Sequence, residues 1–244
     1  MKAMIFAAGL GTRLKPMTDT MPKALVPVAG RPLLYHVAHK IIDAGFGELV
    51  INTHHFAGMI EEYVHDQNGF GADVVISHEP VQPLETGGGI LNARPLLEGC
   101  GRFLVHNVDI ISDLDLRWFM DQARPDAVST LLVSQRESSR YLLFDDGMRL
   151  VGWTNVKTGE VKSPYPGLDA DRCRRMAFAG IHCMSDTIFA KMEELGMPER
   201  FSIIDFYLAA ADTCPIYGVV APSLRILDVG KAGAIAEAEK LLSL

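Results

Sequence analysis

Positive charge is in short supply. Against 30 aspartates and glutamates stand 23 lysines and arginines, a formal net charge of -7 over 244 residues. A chain this acidic is not built to coat nucleic acid or an anionic membrane surface, so any phosphate must be held by a local basic site. Long apolar runs are missing too: none approaches the ~18–20 residues of a transmembrane helix. Residues from Met1 onward lead straight into an apolar strand, so no signal peptide and a cytoplasmic location are expected. Cysteine is sparse, and Cys100, Cys173, Cys183 and Cys214 show neither a C-x-x-C pair nor metal-ligand spacing. They are expected as reduced thiols. With no repeat, low-complexity segment or linker, one domain is expected over residues 1–244. Hydrophobic residues at 48% and charged residues at 22% suit a globular protein with a sizeable core.

What is there is organised around residues 4–27. An apolar run, Met4 to Ala8, predicts a buried strand, and it breaks into Gly9-Leu10-Gly11, Thr12, Arg13 and then Pro22-Lys23. Small residues allow a ligand to approach the backbone, and successive N–H groups in such a turn cradle anionic oxygens. Arg13 and Lys23 add fixed positive charge. Downstream, apolar runs at 49–51, 74–76, 103–105 and 128–133 predict strands, separated by segments of helical spacing such as Leu33, Leu34, Val37 and Ile41. This alternation argues for parallel βαβ units in a doubly wound α/β sheet. Ligands in such sheets bind beyond the carboxyl ends of the strands, here residues 9–23, 52–55, 77–88 and 106–113. A Pro- and Gly-rich loop containing Pro80, Pro83 and Gly87 to Gly89 is expected before a helix over 90–97. The second half reads differently. Residues 141–144 and 150–153 flank Asp146-Gly147 as a hairpin, and a second small hairpin turns at Thr158-Gly159. They form an accessory β region over about 140–175. A closing helix is expected over 232–242.

The motifs Ala7-Ala8-Gly9-Leu10-Gly11-Thr12-Arg13-Leu14-Lys15-Pro16 and Pro22-Lys23-Ala24-Leu25-Val26-Pro27-Val28 resemble the signature of the sugar-1-phosphate nucleotidylyltransferases. The resemblance continues through Pro83 to Gly89, Asn107-Val108-Asp109, Gly180-Ile181-His182 and Asp228-Val229-Gly230, in the family's order. It implies a Rossmann-like three-layer α/β/α nucleotidyltransferase core, with a mostly parallel sheet and a small accessory β region. It also implies a reaction: a sugar 1-phosphate oxygen attacks the α-phosphorus of a nucleoside triphosphate, and pyrophosphate leaves. Positioning and charge neutralisation then carry most of the catalysis. By resemblance Arg13 grips the triphosphate tail, Lys23 sits where attack occurs, and Asp109 and Asp228 hold Mg²⁺. That metal takes oxygen ligands and often only one or two carboxylates. The nucleotide is expected on Ala8, Gly9, Gly11, Thr12, Gln82, Gly87 and Gly88, and the sugar phosphate on Asn155, Lys157 and Gly180. His54, His55 and His106, also at strand ends, are expected as polar residues at the edge of the site.

Several positions depart from the family pattern. Val108 stands where glycine is usual. The segment that usually carries a Glu-Lys pair for the sugar phosphate reads Trp153-Thr154-Asn155-Val156-Lys157, and Tyr141-Leu142 replaces a frequent Tyr-Gly. These changes cluster on the sugar side, so they leave the acceptor open more than the nucleotide chemistry. The short form resembles mannose-1-phosphate guanylyltransferases, the first expectation, and N-acetylmuramate-1-phosphate uridylyltransferases. A phosphocholine cytidylyltransferase, with Trp153 and Tyr141 around a quaternary amine, and a non-catalytic nucleotide-sugar binder are the alternatives. A homodimer is compatible with the resemblance.

Overall fold

The computed structural model describes residues 1–79, 82–231 and 233–243. Pro80 of the expected loop and Ala232, the expected first residue of the closing helix, lie outside them. The first half runs β1 (Lys2–Phe6), the short ribbon β2 (Pro27–Val28) and β3 (Arg31–Pro32), α1 (Leu33–Asp43), β4 (Glu48–Thr53), α2 (Ala57–Asp66), β5 (Asp73–His78), α3 (Glu85–Asn92), α4 (Arg94–Leu97) and β6 (Arg102–Asn107). Then come β7 (Ile110–Ser112), α5 (Leu116–Asp121), β8 (Ser129–Ser134), β9 (Arg140–Phe144), β10 (Leu150–Asn155), β11 (Glu160–Lys162) and β12 (Arg174–Ser185). The chain closes with α6 (Ile188–Glu194), α7 (Ile203–Ala210), β13 (Ile216–Val220), β14 (Ile226–Asp228) and α8 (Gly233–Leu242).

The central strands lie in the order β5-β4-β1-β6-β12, and β8 and β13 continue beyond β12. Of these seven, β12 alone runs against the rest. Both faces of the inner strands are covered, so β1, β4 and β6 are continuous apolar runs rather than alternating ones, whereas the edge strand β5 leaves Asp73 and Val75 exposed. Ala3 and Ile5 of β1 point to the core under α1, α2, α5 and α8, while Met4 points to the core under α3, α4, α6 and α7. The mostly parallel three-layer expectation therefore describes the observed architecture. Helix α1 shows why its residues choose this layer: Leu33, Leu34, Val37, Ala38 and Ile41 are all buried, a stripe at helical spacing, each larger one contributing ~1.5–3 kcal/mol.

The accessory region is a three-stranded antiparallel extension, β9-β10-β11, joined to the first residues of β12 through Arg174–Met176. Strand β12 reaches both sheets because it is irregular between Phe178 and His182, where Gly180 has a φ of +74°.

Two histidines lie in the interior. His106 on β6 and His182 on β12 are buried, so His106 is not the site-edge residue expected from its place at a strand end. Burial pushes the His106 imidazole down to about 4 and the His182 imidazole down to about 3. His182 Nδ1 shares a hydrogen bond of 2.7 Å with the Tyr207 hydroxyl, which meets the Ser129 hydroxyl at 2.9 Å. Both rings are neutral in the folded chain and protonate near pH 6.5 when it unfolds. Their stabilisation is therefore complete above about pH 6.5 and is lost as pH falls toward 4, by up to about 3 kcal/mol for His106 alone. Urea midpoints at pH 7 and pH 5 are expected to differ in that direction. Equal midpoints would contradict neutral burial.

Candidate active site

The loop after β1 folds on itself before it can bind anything. Gly11 takes a φ of +63°, and its carbonyl accepts from the Leu14 N–H at 2.8 Å and the Thr18 hydroxyl at 2.8 Å. A Cβ on Gly11 would lie 2.8 Å from Thr18 Cγ2 and 3.1 Å from Lys23 Cβ, so glycine is required by the loop itself. Gly9 differs: a Cβ there would meet nothing within 4 Å, and the residue lines a cavity. Gly9 therefore leaves open space at the wall of that cavity and packs against no protein atom there.

That cavity, of about 220 Å³, lies beyond the carboxyl ends of β1, β4, β5 and β6. Ala7, Ala8 and Gly9 form one wall, Glu79, Pro83, Glu85 and Thr86 another, and Asn107 to Asp109 with Lys23 a third. The Lys23 ammonium, almost fully buried, forms an ion pair with the Asp109 carboxylate. Short 3-10 turns, Met17–Asp19 and Lys23–Leu25, aim Lys23 back at the strand end. Glu79 is buried yet fully engaged: its oxygens accept from the Asn52 amide at 2.7 Å and the Leu84 N–H at 2.7 Å. It thereby ties Leu84, just before α3, to Asn52 at the end of β4. Glu85 enters α3 with a φ of +63°, a strained conformation at a cavity wall.

Asp228 arrives beside Asp109 through the backbone. Strand β14 pairs antiparallel with β7, setting Asp228 opposite Ile110, and the Val229 N–H donates to the Asp109 carbonyl at 2.8 Å. A Cβ on Gly230 would lie 2.6 Å from both Arg13 Nη2 and Asp228 Oδ1, so the bareness of Gly230 leaves room for the guanidinium on one side and the second carboxylate on the other. Arg13 is exposed and, among the described residues, has no carboxylate within salt-bridge distance. Asp109 and Asp228 offer oxygen donors only, and the described residues hold no cluster of three or more His, Cys, Asp or Glu. This donor set fits Mg²⁺, which leaves its other positions to water and phosphate, and does not fit a closed zinc site.

Five expected positions are placed differently. Gly87 and Gly88 form no turn: they lie inside α3, which begins at Glu85, and a Cβ on them would fall 2.2 Å from the Phe201 ring and 2.3 Å from the Glu199 carbonyl oxygen. Their bareness serves helix packing, and neither lines the cavity. Gln82 is exposed and lines neither cavity described here. Gly180 touches Asn107, whose Nδ2 lies 2.7 Å from where its Cβ would be, so it supports a cavity residue without lining the site. Lys157 sits exposed in the β10–β11 turn, its N–H donating to Asn155 Oδ1 at 3.0 Å.

A second cavity, of about 480 Å³, lies between the accessory sheet and α7. Asn155, expected on the sugar phosphate, lines it; Lys162, Arg140 and Arg136, not singled out from the sequence, line it too. The Lys162 ammonium stands 5.3 Å over the Trp153 ring, the face that a choline headgroup would need. Asn52, Glu79 and Thr86 of the first cavity were also missed as individual residues, although Asn52 and Glu79 fall where the strand-end rule directs attention.

The sequence profile of the family described as Nucleotidyl transferase matches residues 2–144. The chain belongs to that family. Within this nucleotidyl transferase family its relatives are sugar-1-phosphate nucleotidylyltransferases. An N-acetylmuramate alpha-1-phosphate uridylyltransferase of Caulobacter vibrioides is 34% identical over 99% of this chain and 96% of that protein. One from Neisseria meningitidis serogroup B is 47% identical, but over 47% of this chain and 49% of that protein. The mannose-1-phosphate guanylyltransferase catalytic subunit beta of Xenopus tropicalis is 36% identical over 46% of this chain and 32% of that protein. Among solved structures, HddC from Yersinia pseudotuberculosis in complex with GMP-PN shares the fold, with a TM-score of 0.78 at 22% identity and 99% coverage of both chains. No helix among the described residues is long and apolar enough to cross a membrane.

Proposed function

We propose that this nucleotidyl transferase joins UTP and N-acetylmuramate 1-phosphate, releasing pyrophosphate. The buried Lys23–Asp109 pair carries the chemical part of the reading: a cation and a carboxylate face each other at a strand end, inside a cavity walled by a glycine loop. The acceptor part is supported by similarity to an N-acetylmuramate alpha-1-phosphate uridylyltransferase along 99% of the chain, which takes in the accessory sheet. The mannose-type matches extend over 46% to 59% of the chain, so we rank the mannose 1-phosphate reading second.

In this reading Ala8 and Gly9 receive the nucleotide, and the exposed Arg13 guanidinium neutralises the departing pyrophosphate. Lys23 counters charge where the acceptor oxygen bonds to the α-phosphorus and the bond to pyrophosphate breaks. Asp109 and Asp228 would hold Mg²⁺, which when bound supplies further neutralisation of phosphate charge. Asn52, Glu79 and Asn107 keep the walls in place, so the phosphates meet preset partners.

Pyrophosphate release tests the assignment, with each nucleoside triphosphate paired with N-acetylmuramate, mannose, glucose and N-acetylglucosamine 1-phosphates. The expected best pair is UTP with N-acetylmuramate 1-phosphate, with rates that vanish on chelation of divalent cations. A clear preference for GTP with mannose 1-phosphate would replace the acceptor and the base. No turnover with any pair would sink the enzyme reading.

A further inference from the structure

The second cavity has a wall whose composition the nucleotide chemistry does not explain. Register places Arg140, Asn155 and Glu160 in one cross-strand row of β9, β10 and β11, and Leu142, Trp153 and Lys162 in the next row on the same face. All six line the cavity. The facing wall is the start of α7, with Ser202 and Asp205. Thus a chain of net charge -7 puts Arg140 and Lys162 on one sheet face over a concave surface, and adds Arg136 at its edge.

The three cations are not equivalent. Arg136 Nη2 donates to the Phe178 carbonyl at 3.1 Å, which fixes it to β12. Lys162 lies 3.5 Å from Glu160 and over the Trp153 ring, so it is steered but still half exposed. The Arg140 guanidinium has no hydrogen-bond or ion-pair partner among the described residues; only its backbone N–H is engaged, by the Ser138 hydroxyl at 3.2 Å. A guanidinium without a protein partner on a concave wall suits a planar, bidentate oxyanion. Neutral sugar hydroxyls need no such group, since Asn155, Ser138 and Ser202 already offer hydrogen bonds there.

We propose that Arg140, assisted by Lys162, selects an acceptor that carries a carboxylate on its sugar ring substituent. The inference rests on the acceptor reading above, in which N-acetylmuramate differs from N-acetylglucosamine by a lactyl ether ending in a carboxylate. The 1-phosphate points instead toward Lys23 and Asp109 in the first cavity. Asn107, Gly180 and Phe178 link the two cavities: Gly180 abuts Asn107 of the first, and Phe178 lines the second.

The test compares two acceptors that differ only in that group. The wild type, Arg140→Met and Lys162→Met are assayed with UTP and either N-acetylmuramate 1-phosphate or N-acetylglucosamine 1-phosphate; where the neutral acceptor turns over slowly, its inhibition constant is read instead. Arg140→Met is expected to raise the KM for N-acetylmuramate 1-phosphate at least about tenfold and to leave the neutral acceptor within about twofold, with a smaller shift for Lys162→Met. Equal weakening of both acceptors would assign the guanidinium to the 1-phosphate and overturn the proposal, as would unchanged selectivity in an active Arg140→Met enzyme. A wild type that rejects N-acetylmuramate 1-phosphate is a separate failure: it removes the acceptor reading and the carboxylate assignment together. Unchanged neutral-acceptor constants also show that the variant is folded.

Discussion

Asp109→Asn is expected to lower kcat by about three orders of magnitude while the fold survives. The side chain keeps its size and an oxygen that still accepts from Lys23. The backbone contact that holds β14, Val229 N–H to the Asp109 carbonyl, does not depend on the side chain. What disappears is the charge, at a position where a negative oxygen faces a nearly buried ammonium. The stability cost is that of weakening one charge-assisted hydrogen bond, about 1–3 kcal/mol, and a thermal melt separates it from the catalytic loss. Asp228→Asn is expected to be less severe, since its carboxylate is more exposed and shares its surroundings with Arg13. Near-normal, divalent-cation-dependent rates in Asp109→Asn would remove this residue from the reacting phosphates.

Gly88→Ala is expected to destabilise the fold by about 2 kcal/mol or more, and to lower the melting temperature by about 4–8 °C. In an ordinary helix this change would stabilise by up to about 1 kcal/mol. Here the new methyl would lie 2.3 Å from the Glu199 carbonyl oxygen and 3.0 Å from Leu84 Cβ. The Glu199 backbone is poorly placed to yield. Phe201, two residues on, accepts from the Gly87 and Gly88 N–H groups at 2.9 and 3.1 Å and donates to the Leu84 carbonyl at 3.2 Å. Gly58→Ala in α2 is the control. A Cβ there meets nothing within 4 Å, so a small gain in stability is expected. Equal melting temperatures for Gly88→Ala and the parent would contradict the packing role, and a selective loss of nucleotide affinity would return Gly88 to the ligand.

How far these conclusions were legible in the sequence depends on the distance over which each feature is decided. The inner strands were readable because burial on both faces makes each one a continuous apolar run. Such runs are local: Met4 to Phe6, Leu49 to Ile51 and Phe103 to Val105 all proved to be strands of the central sheet. Asp109 lies just past the end of β6, where the central sheet collects strand ends at one edge, whereas Asp228 ends β14, outside that sheet, and comes close through the pairing of β14 with β7. Gly87 to Gly89 misled because three glycines normally punctuate a chain, whereas here they sit inside α3: Gly87 and Gly88 admit Phe201 and Glu199, more than 100 residues away, and Gly89 admits the Glu79 carboxylate. The sugar-side lysine misled for a related reason. Lys157 is near Asn155 in sequence but sits in the turn; Lys162 faces the cavity because of cross-strand register with Trp153. Local pattern does not reveal which residues of a hairpin share a face until the turn length is known.

The central claim is that the Gly9 loop, Lys23 and the two carboxylates join two phosphates rather than bind or hydrolyse one. Phosphorus-31 NMR of the protein with UTP, N-acetylmuramate 1-phosphate and Mg²⁺ tests it most directly. The account predicts that the triphosphate and monophosphate signals decay together, giving a sugar-linked diphosphate and free pyrophosphate in equal amounts. Unchanged spectra with this and every other sugar 1-phosphate, or UTP consumed at a rate indifferent to the acceptor, would contradict it.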